Sequence, residues 1–127
     1  MNKPSLYNIA VHVETQYIEA ESRPQQTFYI FAYHITITNK GDIAAKLLAR
    51  HWIITDSNGR VQEVKGDGVI GKQPYLQPNE SFRYTSGTMM ETPVGTMEGS
   101  YQMVSDNGEK FDAEIPAFVL ALPNMLH

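Results

Sequence analysis

Apolar and polar residues alternate along most of this chain, and this period of two is the feature that most limits its fold. The clearest example runs from Phe28 to Thr38, FYIFAYHITIT. Every second position from Tyr29 to Ile37 is aromatic or β-branched, whereas His34 and Thr36 lie between them. Successive side chains of a strand point to opposite faces, so the pattern predicts a half-buried strand.

Turn sequences separate this segment from others of the same kind. NKGD (residues 39–42) ends the first segment, and DSNG (56–59) and DNGE (106–109) each predict a hairpin between two further strands. No segment has the periodicity of an amphipathic helix. The sequence therefore predicts an all-β fold, an antiparallel β-sandwich of about seven or eight strands.

Two single residues refine this prediction. Trp52 is the only Trp and lies on the third predicted strand. Sandwiches often place a core aromatic there, so we expect Trp52 to be buried, and its truncation to cost roughly 3–5 kcal/mol. Pro116 interrupts a strand-like segment. Because proline cannot donate to a sheet ladder, its strand is predicted to be an edge strand or to bulge there.

Length and composition narrow the class of protein. The 127 residues suit a single domain spanning residues 1–127, and 42% hydrophobic with 19% charged residues argues against disorder. Ten Lys and Arg against 14 Asp and Glu argue against nucleic-acid binding. No apolar segment is long enough to span a bilayer and the N-terminus does not resemble a secretory signal, so we predict no membrane association and a cytoplasmic location.

A glycine motif, GDGVIG at residues 66–71, matches the G-x-G-x-x-G pattern of dinucleotide-binding turns. In those proteins a helix follows the glycines and its N-terminus holds the phosphates. Here KQPYLQP follows, and Pro74 and Pro78 disfavour a helix there. The motif is therefore not a Rossmann turn.

Two interpretations of the motif stay open. Successive amides around Gly66, Gly68 and Gly71 could form an anion-binding nest, with Lys65 and Lys72 adding positive charge. These five residues are the candidate site for a phosphate or pyrophosphate. Alternatively, the glycines serve a connection between strands that needs positive φ at several positions.

No catalytic or metal site is predicted. The chain has no nucleophile motif and no Cys, which also excludes disulfides and thiolate ligands. The histidines are not spaced as a zinc pair on a strand; they are His12, His34, His51 and His127. No cofactor can be named from these residues.

Several residues suit a surface that contacts another protein. Tyr75, Met89, Met90 and Met97 lie in less regular stretches, and if exposed they would favour protein contacts. The alternative is that they cap the ends of the sandwich. A homodimer through an exposed sheet edge is also plausible, although the sequence does not indicate which edge.

Several longer segments resemble the ApaG family, namely RHWIITDSNG, VKGDGVIGKQPYLQPNESFRYTSG, TPVGTMEGSYQM and FDAEIPAFVLALP. The resemblance runs from about Tyr7 to Pro123. One departure is Asn79, where the family commonly has Gly; Asn tolerates a left-handed backbone, so the turn should be kept.

The resemblance implies an immunoglobulin-like or fibronectin type III-like sandwich. It also implies a link to cobalt resistance and magnesium efflux, and a role as an interaction module, since related domains occur in F-box proteins and in a polymerase-interacting protein. The glycine motif of the family has been suggested as a pyrophosphate site. Our leading hypothesis is a non-enzymatic binding module that recognises a protein partner, with the glycine loop as a candidate site for a phosphate-bearing ligand. The alternative is a nucleotide- or pyrophosphate-binding protein, with or without enzymatic activity.

Overall fold

The computed structural model describes residues 6–125, which fold almost entirely into β-strands. The strands are β1 (Ile9–Tyr17), β2 (Tyr29–Asn39), β3 (Ala45–Asp56), β4 (Val61–Asp67), β5 (Tyr75–Leu76), β6 (Ser81–Met90), β7 (Val94–Ser105) and β8 (Lys110–Ala121). Short 3-10 turns occupy Glu19–Glu21, Pro24–Gln26 and Pro123–Met125. All strand pairings are antiparallel, and the predicted all-β sandwich is confirmed.

The strands form two sheets that face each other. The smaller sheet has the order β1-β2-β6 and the larger sheet has the order β4-β3-β7-β8. Strand β5 pairs with the start of β3, beyond the end of β4. Strands β1 and β8, one from each sheet, lie side by side and close one side of the sandwich. The other two edge strands, β4 and β6, do not lie side by side.

Burial follows the alternation seen in the sequence. Along β2 every second residue from Phe31 to Ile37 is buried, and the residues between them are partly exposed. Trp52 on β3 is only 2% exposed, which confirms its predicted place in the core. Its ring contacts Tyr33, Tyr101 and Phe118 at centroid distances of 5.5, 6.3 and 5.9 Å.

Two irregularities interrupt the larger sheet. The β3–β7 register shifts between Leu47 and Ala49, and the β7–β8 register shifts opposite the segment from Ile115 to Phe118. Pro116 lies within that second shift, and β8 is the last strand of its sheet. Both parts of the prediction for Pro116 are therefore confirmed.

The suggested contact residues divide between core and surface. Met90 and Met97 are buried in β6 and β7, so their interpretation as exposed contact residues is wrong. Tyr75 is 48% exposed and its hydroxyl donates to Asp106 Oδ2 at 2.7 Å. Asn79 has φ 72, which confirms the left-handed turn expected there.

Candidate functional site

The glycine motif is half strand and half turn. Gly66 and Asp67 are the last residues of β4, and the chain then turns back between Val69 and Lys72. These two residues exchange hydrogen bonds, from Val69 N–H to the Lys72 carbonyl at 2.8 Å and from Lys72 N–H to the Val69 carbonyl at 2.9 Å. Ile70 and Gly71 between them have φ 44 and 76, as in a type I′ turn.

Each glycine of the motif has a separate physical reason. Gly68 and Gly71 have positive φ, as the connection between strands was expected to require. At Gly68 a Cβ atom would also lie 2.3 Å from the Lys72 carbonyl oxygen, whereas at Gly71 it would meet nothing within 4 Å. Gly66 does not have positive φ; a Cβ there would lie 2.8 Å from Arg50 Nη1. The positive φ expected at several positions of this connection is therefore found at Gly68, Ile70 and Gly71, whereas Gly66 has a steric reason instead.

Residues 66–72, the glycine loop, are fixed to the larger sheet. The Gly68 amide donates to the Leu48 carbonyl at 2.8 Å, and Gln73 Nε2 donates to the same carbonyl at 2.9 Å. The Val69 side chain is fully buried in the hydrophobic core. The loop is thus held by both its backbone and a core side chain, so its tip is preorganised.

The Arg50 side chain holds the loop through hydrogen bonds to its backbone. The register shift in β3 puts it opposite Tyr101 and Gly66, with its side chain on the inner side of the sheet. Its Nη1 donates to the carbonyls of Asp67 and Gly68 at 3.1 and 3.0 Å. None of the ion pairs formed within residues 6–125 includes Arg50. Its positive charge therefore stays uncompensated by a carboxylate there.

Three tyrosines lie close to this guanidinium. The hydroxyls of Tyr84 and Tyr101 form a buried hydrogen bond at 2.6 Å. Burial raises the pKa of both hydroxyls well above the usual range, and it raises the pKa of Tyr33 as well. The positive charge of Arg50 opposes these shifts but is the smaller influence. The phenols stay neutral, so they do not neutralise Arg50.

The two lysines of the predicted site are both exposed beside the loop. The Lys65 side chain is exposed on β4 and lies 3.7 Å from Glu63 Oε1. Lys72 is exposed at the end of the turn and takes part in none of the ion pairs of residues 6–125. Both lysines thus stand at the ends of the loop, and Arg50 is a further cation that contacts it and that the sequence did not indicate.

The loop amides are less available than the nest hypothesis requires. The amides of Gly68, Val69 and Lys72 already donate to backbone carbonyls. An anion held here would therefore depend on the cationic side chains more than on these amides. The anion site at Gly66, Gly68, Gly71, Lys65 and Lys72 stays a prediction.

Sequence reasoning missed Ile70 at the tip of the loop. It is 52% exposed, although it is large and apolar. Its φ of 44 lies in the left-handed region, which β-branched residues rarely adopt. Such strain costs on the order of 1–3 kcal/mol. An Ile directly before Gly in a two-residue turn is the sequence signal that could have revealed it.

The remaining ionisable groups form no metal site in the described part of the chain. No three His, Asp or Glu side chains of residues 6–125 are placed to hold a metal ion. His51 Nε2 lies 3.4 Å from Glu63 Oε2, and His34 contacts Thr85 Oγ1 at 2.8 Å. His127 lies outside the described residues. Within the same range, no helix has the length and apolar character needed to cross a membrane.

Comparison with known proteins agrees with this fold. Residues 19–105 match the family model of the ApaG domain. Protein ApaG of Azoarcus sp. (strain BH72) is 58% identical and Protein ApaG of Dechloromonas aromatica (strain RCB) is 56% identical, each over the full length of both chains. A crystal structure described as an ApaA protein of Bordetella pertussis superposes with a TM-score of 0.92 at 48% identity, covering 95% of this chain and 98% of that one. The chain therefore belongs to the ApaG family.

Proposed function

We propose that this protein is a non-enzymatic interaction module that docks on a protein partner through the tip of the glycine loop. The observation that carries the proposal is the state of Ile70, which is exposed, apolar and strained. Strained residues that the surrounding structure holds in place cluster at binding sites. The family's connection to cation efflux would then run through the partner.

The fold does not need an isoleucine at this position. A type I′ turn accepts Asn or Gly at both central residues without strain. About half of the Ile70 side chain is in water, so its contribution to the core is limited. The same features favour binding, because an exposed apolar side chain on a rigid loop can fill a pocket at little cost in ordering.

The charges around the tip indicate the chemistry of the partner. Lys65 and Lys72 flank the loop, and the uncompensated Arg50 lies beneath it. Charge complementarity across an interface steers association and selects partners. We therefore assign to the partner an apolar pocket for Ile70 with an acidic rim.

Co-purification from cells tests this proposal with one variant and one control. Ile70→Asn keeps the turn and removes the apolar anchor, so the partner recovered with the wild type should be lost. Val119→Thr removes an exposed apolar side chain on β8, far from the loop in the sequence, and should retain the partner. Equal recovery with Ile70→Asn, in protein shown to be folded, would overturn the proposal.

A phosphate-bearing small ligand is the second candidate function. The observation that favours it is that Lys65 and Lys72 stand at the two ends of the loop, while Arg50 donates to two of its carbonyls. Isothermal titration with pyrophosphate, nucleotides and their Mg²⁺ complexes tests it, with Lys65→Gln/Lys72→Gln as the matched variant. Heat at millimolar ligand that the variant loses would support it, and no heat would end it. Turnover of a nucleotide that the variant abolishes would contradict the non-enzymatic proposal.

A further inference from the structure

Strand β4 is a free edge of the larger sheet. It pairs with β3 on one side and ends the strand order on the other. Its exposed side chains include two valines, Val61 at 59% and Val64 at 38% exposure. An extended edge of this kind is a template for pairing with another strand.

The sequence of β4 is complementary to itself in one antiparallel register. The strand reads VQEVKGD over Val61–Asp67, with Glu63 and Lys65 on either side of Val64. A two-fold axis through Val64 places Glu63 opposite Lys65 of the second copy, and Lys65 opposite Glu63 of the second copy. We propose that the occupant of this edge is a second copy of the chain, and that a homodimer forms through β4–β4 pairing centred on Val64.

Neighbouring registers are disfavoured by the same charges. An axis through Glu63 would place two glutamates directly opposite each other. An axis through Lys65 would place two lysines opposite each other and would also set Glu63 against Asp67. Like charges directly opposite destabilise a strand pair, so the charges select the register centred on Val64.

The side chains of β4 are placed to make these contacts. The Glu63 and Lys65 side chains are 56% and 69% exposed and lie on the same face of the strand, 3.7 Å apart. In the dimer the four charges would form one cluster across the axis, with the Val64 side chains paired on the opposite face. Seven residues per strand bury little area, so the dimer should depend on protein concentration.

Sedimentation equilibrium tests the proposal over concentrations from about 10 µM to about 1 mM, the range in which a small interface associates. The wild type should form dimers as concentration rises. Glu63→Lys puts lysines opposite each other in both charged pairs, and should weaken dimerisation roughly tenfold. The charge-swapped variant Glu63→Lys/Lys65→Glu restores opposite charges in the same register and should recover dimerisation.

Trp52 fluorescence and thermal unfolding confirm that each variant is folded. A wild type that stays monomeric overturns the proposal, as does a Glu63→Lys variant that dimerises like the wild type. Failure of the swapped variant to recover dimerisation while folded also overturns the register. The proposal does not depend on the proposed function, because Ile70→Asn should dimerise as the wild type does.

Discussion

Replacing each glycine of the loop by alanine should separate the three physical roles that the structure assigns to them. The prediction is an order of cost. Gly68→Ala should destabilise the protein most, and Gly66→Ala and Gly71→Ala should each cost less. A simple loss of flexibility would instead make the three variants alike, so the order tests the geometry.

Gly68→Ala combines two penalties. Its φ of 62 is left-handed, which costs a residue with a Cβ about 1–2 kcal/mol. The new Cβ would also lie 2.3 Å from the Lys72 carbonyl oxygen, which belongs to the backbone and cannot rotate away. Moving it breaks the two hydrogen bonds between Val69 and Lys72, each worth about 1 kcal/mol. The expected total is about 3–4 kcal/mol.

Gly71→Ala incurs only the first of these penalties. Its φ is 76, and a Cβ there would meet nothing within 4 Å. The expected cost is about 1–2 kcal/mol. Gly59 and Gly108 have φ 82 and 86 and the same open surroundings, so Gly59→Ala and Gly108→Ala are matched controls for backbone strain alone.

Gly66→Ala acts through a side chain. The new methyl would lie 2.8 Å from Arg50 Nη1, and a flexible guanidinium can shift at the expense of its hydrogen bonds to Asp67 and Gly68. The expected cost is about 1–2 kcal/mol. Because the three atoms nearest to the new methyl all belong to Arg50, the cost should nearly disappear in an Arg50→Ala background.

Urea unfolding followed by Trp52 fluorescence measures all of these variants, since the single Trp is buried in the core. The reasoning is refuted if Gly68→Ala costs no more than Gly71→Ala. It is also refuted if the cost of Gly66→Ala is the same with and without Arg50. We also expect Gly71→Ala to cost the same as its two controls, Gly59→Ala and Gly108→Ala.

Three further predictions concern buried polar groups. Tyr84→Phe and Tyr101→Phe each leave one buried hydroxyl unpaired and should each cost about 1–2 kcal/mol in urea unfolding, with the double variant costing less than the sum. Burial raises the pKa of both hydroxyls above the ordinary 10.0, so only the unfolded state ionises there. The free energy of unfolding should therefore fall as pH rises above about 10, and Tyr101→Phe should reduce this decline. Asn39 is buried; its side-chain amide donates to two carbonyls and its side-chain oxygen accepts from one backbone amide. Asn39→Ala should therefore lower the free energy of unfolding by about 3 kcal/mol, measured by thermal unfolding. If Asn39→Ala cost less than Asn39→Ser, this account would be contradicted.

The strands could be predicted because local patterns determine them. Period-two alternation places Phe31 to Ile37 on one face whatever the neighbouring strands are. Trp52 and Pro116 were also predictable, since each carries a strong preference of its own for the core or for an irregular edge. Hairpin turns such as the one at 56–59 follow from their residues alone.

Arg50 could not be predicted as a support for the loop. Its side chain reaches the inner side of the sheet because the β3–β7 register shifts near Leu48. A register shift depends on how two distant strands pair, and no residue within β3 signals it. The hydrogen bond between Tyr84 and Tyr101 is hidden for the same reason, since it joins opposite sheets.

The position of the turn in the glycine loop shows tertiary structure overruling a local preference. Asp67-Gly68 is the stronger signal for a type I′ turn, yet the structure turns at Ile70-Gly71. Asp67 stays in β4 opposite Ala49, and Val69 is buried in the core. Together these contacts move the turn three residues along the chain, onto an isoleucine. The fold thus determines that the backbone at position 70 is left-handed, but it does not determine that the side chain there is apolar. We attribute the apolar side chain of Ile70 to binding.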